Sequence, residues 1–537
     1  MGRGTTVGWF ACKAEMSKTW KYRNAPTSSQ RGPFGRSTAV GPDRHRSEAR
    51  FAPSRHLGPP PGIDVRSSLF VPACPQTFPQ RMKLVYLTAG AAGMYCGSCM
   101  HDNALARALA GRGVDCVLQP LYTPIRTDEI SVARSQVFFG GIEIYLLQQM
   151  PWLRFIPAAL RSWLNHPAIL RWATRRAGST DPAVLGDLAL SMLRGEHGRQ
   201  ADEVRRLVDW LESDMRPDAV VLTNLLIGGM LPTLRRRLPE TKIIVLLQGD
   251  DIFLDHLPEQ QRAEAIRLCS DLAESVDHFV VNSRFYGEKM SALLGIPDDR
   301  WLVHPLSIDV AEMQAAPNND ASAESDSASI FRLGYLARIA PEKGLHHLVD
   351  AFIELCQRDE TPGIELHVAG WLGDQNRPYI DQLVRRIEQA GLGDQFFHHG
   401  SPDLNGKIRF LRSLDLLSVP TDYEDPKGLF VLEALANGVP VVQPDHGAFG
   451  ELVQSTGGGL TYPCDHPDGL TDTIDRLRSD DELRIALGRK GQSIVSERHT
   501  IDGAAQNLID LITSLQKHQH PDLPLSPESG NPATENV

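Results

Sequence analysis

YEDPKGLFVLEALANGVPVVQPDHGAFGE, residues 423–451, holds the pattern that decides the fold. Ahead of it a short apolar strand, 416–419, runs into a polar loop, 421–427, and Gly428 then opens a helix with Glu433 just inside its first turns. The unpaired amides and the dipole of a helix start attract phosphate. A carboxylate beside them accepts two vicinal hydroxyls, as on a ribose, so the unit suits a nucleotide sugar. Residues 331–352, FRLGYLARIAPEKGLHHLVDAF, repeat the order of strand, loop and helix, with Arg338 and Lys343 in the loop. Two fixed cations at a helix start neutralise a pyrophosphate without a metal ion, and Arg adds a planar fork that Lys lacks.

Together the two segments resemble the retaining glycosyltransferases of family 4. Their GT-B fold sets two Rossmann-like domains with parallel sheets facing across a cleft, an α/β architecture. The family's donor site has two acids eight residues apart, then a small-residue helix and a Gly-x-Pro-Val-Val strand entry. Asp425 and Glu433, followed by Ala434, Ala436, Gly438, Pro440, Val441 and Val442, match that order. The family's first acid is Glu, so Asp425 is one methylene shorter, and Glu424 stands one residue off register. The resemblance implies transfer of a sugar, with retention, from a nucleoside-diphosphate sugar to a hydroxyl on a glycan, lipid-linked or small-molecule acceptor. It implies no metal and no other cofactor. It assigns the diphosphate to Arg338 and Lys343, the sugar hydroxyls to Asp425, the ribose to Glu433, and further donor contacts to the Gly428 and Leu429 amides. The departures leave two other outcomes open: a nucleotide-sugar binding protein without catalysis, or a nucleotide-sugar epimerase on the same fold.

The 537 residues suffice for two cores of some 200 residues each. Residues 1–81 hold 13 Lys and Arg against 4 Asp and Glu, which leaves 42 against 62 in the remainder. A body that acidic is not expected to coat nucleic acid. The basic segment is rich in Arg, Pro, Gly and Ser without helical or strand period, so disorder is expected there. Met82 directly precedes KLVYLTAG, a first Rossmann strand, so either translation starts at Met82 or the extension is an Arg-rich targeting peptide. Eight scattered cysteines and the lack of an apolar leader or membrane-length run point to a cytoplasmic protein, with attachment to the inner face of a membrane as an extension of that reading.

Strands are expected at 83–88, 115–121, 219–223, 242–248 and 278–282, with a helix at 104–111, giving a first domain over 82–316. Gly90 and Gly93 follow the first strand, where open α/β sheets bind ligands, and let backbone approach the donor. The same loop contains Cys96, Cys99 and His101. Packing, thiol chemistry and half of a metal site are all compatible with that spacing, although no second Cys pair completes a tetrahedral site. Gln248, Asp250 and Asp251 end another strand at the cleft. Gln248 stands where some family members carry His, and either aspartate could instead cap a helix. A helical insertion at 127–214 includes Trp152, Trp163 and Trp172 among several arginines, which fits a packed lid or a membrane-surface patch over 152–176. The polar stretch 317–329 reads as the interdomain linker, 330–498 as the nucleotide-sugar domain, 499–517 as a helix crossing back, and 518–537 as a disordered tail.

Overall fold

A computed structural model describes residues 81–90, 97–125, 131–134, 137–138, 182–315, 330–358 and 363–517. The extension 1–80, Gly93, Cys96, the aromatic stretch 152–176, the linker 317–329 and the tail 518–537 lie outside the described residues. Among the described residues twelve strands form two six-stranded sheets, ordered β2-β1-β3-β4-β5-β6 and β12-β11-β10-β7-β8-β9. The first comprises β1 Lys83–Thr88, β2 Asp115–Pro120, β3 Ala219–Leu222, β4 Lys242–Leu246, β5 His278–Val281 and β6 Trp301–Val303. The second comprises β7 Phe331–Leu336, β8 Ile364–Ala369, β9 Phe396–His398, β10 Leu416–Ser418, β11 Val441–Pro444 and β12 Gly459–Tyr462. Every pairing in both sheets is parallel. Continuous apolar runs such as AVVL and KIIVL are buried on both faces, as a sheet covered by helices on either side requires.

The chain reverses its direction of sheet growth at β1/β3 and at β7/β10, where Leu84 pairs with Ala219 and Leu416 with Leu333. At such a switch point the following loops diverge to opposite faces and leave a crevice beyond the strand ends, where ligands of open sheets sit. The residues after β1, β3, β7 and β10 therefore define where to look.

Helices framing these ends are α1 Gly97–Gly111, α2 Pro182–Leu193, α3 Ala201–Trp210, α4 Asp250–Asp255, α5 Arg284–Leu294, α6 Leu345–Arg358, α7 Leu404–Arg412, α8 Leu429–Ala436 and α9 Phe449–Thr456. A last one, α10, spans Ile501–Lys517 and places Ile501, Ala505, Leu508 and Ile512 in one apolar cluster with Leu84, Tyr86 and Leu109 of the first sheet and α1. Burial of each leucine or isoleucine among them stabilises by roughly 1.5–3 kcal/mol. The two crossings between the domains run side by side: Ile308 N donates to His499 O at 2.9 Å, and Ile501 N to Ile308 O at 2.9 Å.

Helix α1 starts at Gly97, seven residues before the expected 104. The polar run GSCMHDN reads as loop, yet Cys99, His101, Asp102 and Asn103 are all buried by tertiary packing, which overrides the local composition. The aspartates after β4 also differ from the capping alternative: Gly249, at φ +113°, is the N-cap of α4, and Asp250 and Asp251 are its first two residues.

Candidate active site

The loop after β7 carries Arg338 and Lys343 in unequal surroundings. Arg338 lies one-third exposed, its Nη2 2.7 Å from Glu342 Oε1. Lys343 turns inward, with Nζ 2.8 Å from Asp425 Oδ2 and also bonded to the Tyr423 hydroxyl. Tyr423 Oη in turn donates to Asp425 Oδ2 at 3.0 Å, while Asp425 Oδ1 accepts from the Lys427 amide at 3.0 Å. Burial would raise the Asp425 pKa, but the Lys343 charge and these hydrogen bonds outweigh it and hold the carboxyl at about 2. Burial likewise works against the Lys343 charge, and Asp425 raises its pKa above the ordinary value despite that. Lys343 and Asp425 are thus one fixed ion pair rather than two independent groups. Glu424 points the other way, half-exposed, 3.0 Å from Lys289 of the first domain.

Gly428 caps α8 at φ +77°, and a Cβ there would lie 2.8 Å from the Phe449 ring, so the helix start needs glycine for both reasons. Leu429 is the first residue of α8. One turn on, Glu433 is buried with Oε1 2.7 Å from the equally buried Nζ of Lys407 on α7. The lysine was not among the expected residues; only its place on α7, opposite α8, reveals it.

Across the cleft the first sheet ends on Asp102, which is fully buried. Tyr86 Oη and Thr223 Oγ1 each donate to it at 2.6 Å, Thr88 Oγ1 at 3.0 Å and Gln248 Nε2 at 3.3 Å. Burial raises its pKa, and the hydroxyl donors and Lys427 offset that only in part. Gln248 also accepts from Lys427 Nζ at 2.9 Å through Oε1 and so links Asp102 of the first domain to the second. Lys427 further bonds to Ser98 at the start of α1. Asp250 accepts the Leu225 amide at 2.7 Å and the Gln248 amide at 3.2 Å, and burial pushes its carboxyl up to about 6. Asp251 receives Tyr286 Oη at 2.8 Å and Lys289 Nζ at 2.9 Å. A third bridge between the domains is Glu451, whose carboxylate accepts the Arg284 and Phe285 amides at 2.8 and 2.6 Å.

The structure therefore brings Arg338, Lys343, Asp425, Gly428 and Leu429 to one side of the cleft and Gln248 to the other. Asp250 and Asp251 brace the loop behind Gln248. At Gly90, with φ +93°, a Cβ would sit 1.8 Å from Thr123 O, so its missing side chain admits the neighbouring loop. Cys99 is buried in α1, and among the described residues neither it nor His101 belongs to a metal-binding cluster.

Residues 326–494 match the family described as glycosyl transferases group 1. That match falls on the second domain. The lipopolysaccharide core biosynthesis mannosyltransferase LpsB of Rhizobium meliloti is 32% identical over 201 residues, 36% of this chain and 54% of that one. The D-inositol 3-phosphate glycosyltransferase of Corynebacterium efficiens is 26% identical over 238 residues, 42% of this chain and 54% of that one. The chain spans about half the length of these curated relatives. Among solved structures, Anabaena HepE in complex with UDP covers 81% of this chain and 100% of its own, with a TM-score of 0.58 at 16% identity. The sucrose-phosphate synthase of Thermosynechococcus elongatus covers 81% of this chain and 99% of its own, with a TM-score of 0.57 at 17% identity. The two parallel six-stranded sheets and these likenesses give the GT-B fold.

Proposed function

We propose that the protein is a retaining glycosyltransferase of family 4 type, which moves a sugar from a nucleoside-diphosphate donor to an acceptor hydroxyl. The observation that carries this reading is the Lys343–Asp425 pair at the second switch point, facing the Gln248 and Asp102 network of the first. Arg338 is held by one exposed ion pair, of a kind worth under ~1 kcal/mol, so an arriving diphosphate draws it away at little cost. Lys343 stays in place because Asp425 and Tyr423 fix it, and the two cations stabilise charge on the departing diphosphate. Asp425 Oδ1 accepts one amide bond and retains a lone pair for a donor-sugar hydroxyl. The acceptor hydroxyl enters from the Gln248 side, and the departing phosphate takes its proton. Glu433, steadied by Lys407, accepts the ribose hydroxyls, and the Gly428 and Leu429 amides complete the donor site.

A neighbour solved with UDP and with UDP-glucose supports a nucleotide-sugar donor. Relatives named for lipopolysaccharide core and inositol phosphate support an acceptor of glycan, lipid-linked or small-molecule class. Among the described residues no helix is long and apolar enough to cross a membrane, and we place the enzyme in the cytoplasm, with any membrane contact peripheral. Because two side-chain cations meet the diphosphate, transfer proceeds without a metal.

The test is a panel of nucleoside-diphosphate sugars with and without acceptors, the anomeric configuration of any product being read by NMR. A product retaining the donor's configuration, formed at the same rate in EDTA, is expected. An inverted product, an epimerised donor, donor binding without turnover, or activity abolished by EDTA and restored by Mn²⁺ would each overturn the corresponding part.

A further inference from the structure

Directly beyond Lys343 lie three side chains that the proposed transfer does not use. His346 and His347 are the second and third residues of α6, and Asp422 belongs to the loop after β10. His347 Nε2 is 2.6 Å from Asp422 Oδ1 and His346 Nε2 is 3.9 Å from Asp422 Oδ2, and the possible ligand atoms of all three lie within 4.8 Å of one another. The two rings lie side by side, centroids 4.0 Å apart. Behind them, Tyr379 Oη is 3.0 Å from His346 Nδ1 and accepts the His346 amide at 3.0 Å. An oxygen on the far ring nitrogen is the device by which metal-bound imidazoles are oriented. Here it leaves Nε2 of His346 facing the carboxylate.

We propose that His346, His347 and Asp422 form a binding site for a divalent transition-metal ion of the zinc class, coordinated by the two Nε2 atoms and the Asp422 carboxylate, with water in the remaining position. Two imidazoles with one carboxylate are a zinc-type ligand set, whereas Mg²⁺ and Ca²⁺ take oxygen ligands. Tetrahedral bonds of about 2.1 Å put ligand atoms roughly 3.3 Å apart. The separations here need only small rotations to reach that, and His347 and Asp422 are free to make them, their side chains being 48% and 44% exposed. The neutral imidazole is the ligating form.

The ion has a definite mechanical consequence. It ties the start of α6, one residue beyond Gly344, to the loop that carries Tyr423, Asp425 and Lys427. A backbone bond already joins the turn before α6 to that loop, Asp422 N to Glu342 O at 3.1 Å. The metal adds a cross-brace beside the diphosphate cations without replacing them, and its binding does not depend on the transferase reading.

The untagged full chain, stripped with chelator, is titrated with zinc chloride by calorimetry, and melting is followed with and without the ion. One equivalent should bind and raise the melting temperature. Asp422→Asn and His347→Gln should each weaken binding by ~10-fold or more and abolish the thermal shift, while melting without metal stays at the wild-type value. Substitution by Co²⁺ should give a spectrum without a thiolate charge-transfer band. Undiminished zinc binding in both variants, or a thiolate band showing that a cysteine such as the exposed Cys464 holds the ion, would overturn the site. Magnesium chloride at the same concentration should produce no shift, and an equal shift with magnesium would reduce the cluster to ordinary screening.

Discussion

Asp102 and Asp425 occupy matching places, one beyond each switch point, and both are buried, but their partners differ in kind. Asp102 meets three hydroxyls and an amide, and its proton affinity rises. Asp425 meets an ammonium, and its carboxyl drops to about 2. The same fold thus gives the buried acid hydroxyl and amide donors on one side of the cleft and a rigid ion pair on the other. Under the proposed function the acceptor hydroxyl meets the first and the diphosphate donor the second. What distinguishes the halves is not how many acids they place at the cleft but what each acid is given to hold.

The contrast is strained most by removing the ammonium. Lys343→Met should cost roughly 3–5 kcal/mol of stability, since it leaves Asp425 buried without its cation, and should lower turnover by roughly 10²-fold or more. Adding Asp425→Asn should return much of the stability and none of the turnover, as read by denaturant melts and initial rates. Recovery of turnover in the double variant would reduce the pair to a structural brace. Asp425→Asn alone should cut transfer while calorimetry shows nucleoside-diphosphate binding close to wild type, because the proposed ribose contact is that of Glu433.

A second probe is pH. The Asp250 carboxyl is raised from its ordinary 3.8 to about 6, so between those values the folded state holds a proton that the unfolded chain has lost, and stability falls as pH rises, by about 3 kcal/mol in all. Asp425, lowered to about 2, acts in the opposite sense: its contribution is complete above 3.8 and is lost as pH falls toward about 2. Melts across pH should show Asp250→Asn flattening the fall while leaving the acid-side rise intact. A fall that persists in that variant would assign it to another group.

The smallest effect is expected next door. Glu424 is half-exposed and shares Lys289 with Asp251, so Glu424→Gln should change stability by under ~1 kcal/mol and transfer by little. A severe loss in this variant, with Asp425→Asn nearly silent, would move the donor acid by one residue.

Much of this arrangement is readable in the chain because it follows from local pattern. Apolar runs bounded by Gly and polar loops mark the strands, so Lys83–Thr88 falls where expected. Ile501–Lys517 is equally legible from its amphipathic period. The partners are not legible, since they depend on contacts between remote segments: Lys407 reaches Glu433 from another helix, and Lys427 reaches Gln248 from another domain. Asp102 was hidden for a different reason. It lies in a run whose polarity reads as loop, and only the convergence of Thr88 and Thr223, each directly at or after the end of a strand flanking the switch, signals a buried acid.

Helix α10 has a bearing on how the protein is made. Its apolar face completes the cluster that covers β1 and α1, yet it is translated only after the whole second domain. Until then Leu84, Tyr86 and Leu109 lack part of their cover, and the nascent first domain presents an apolar surface to any chaperone that meets it. The two halves therefore mature together, and a chain truncated anywhere before residue 501 lacks part of the first domain's core.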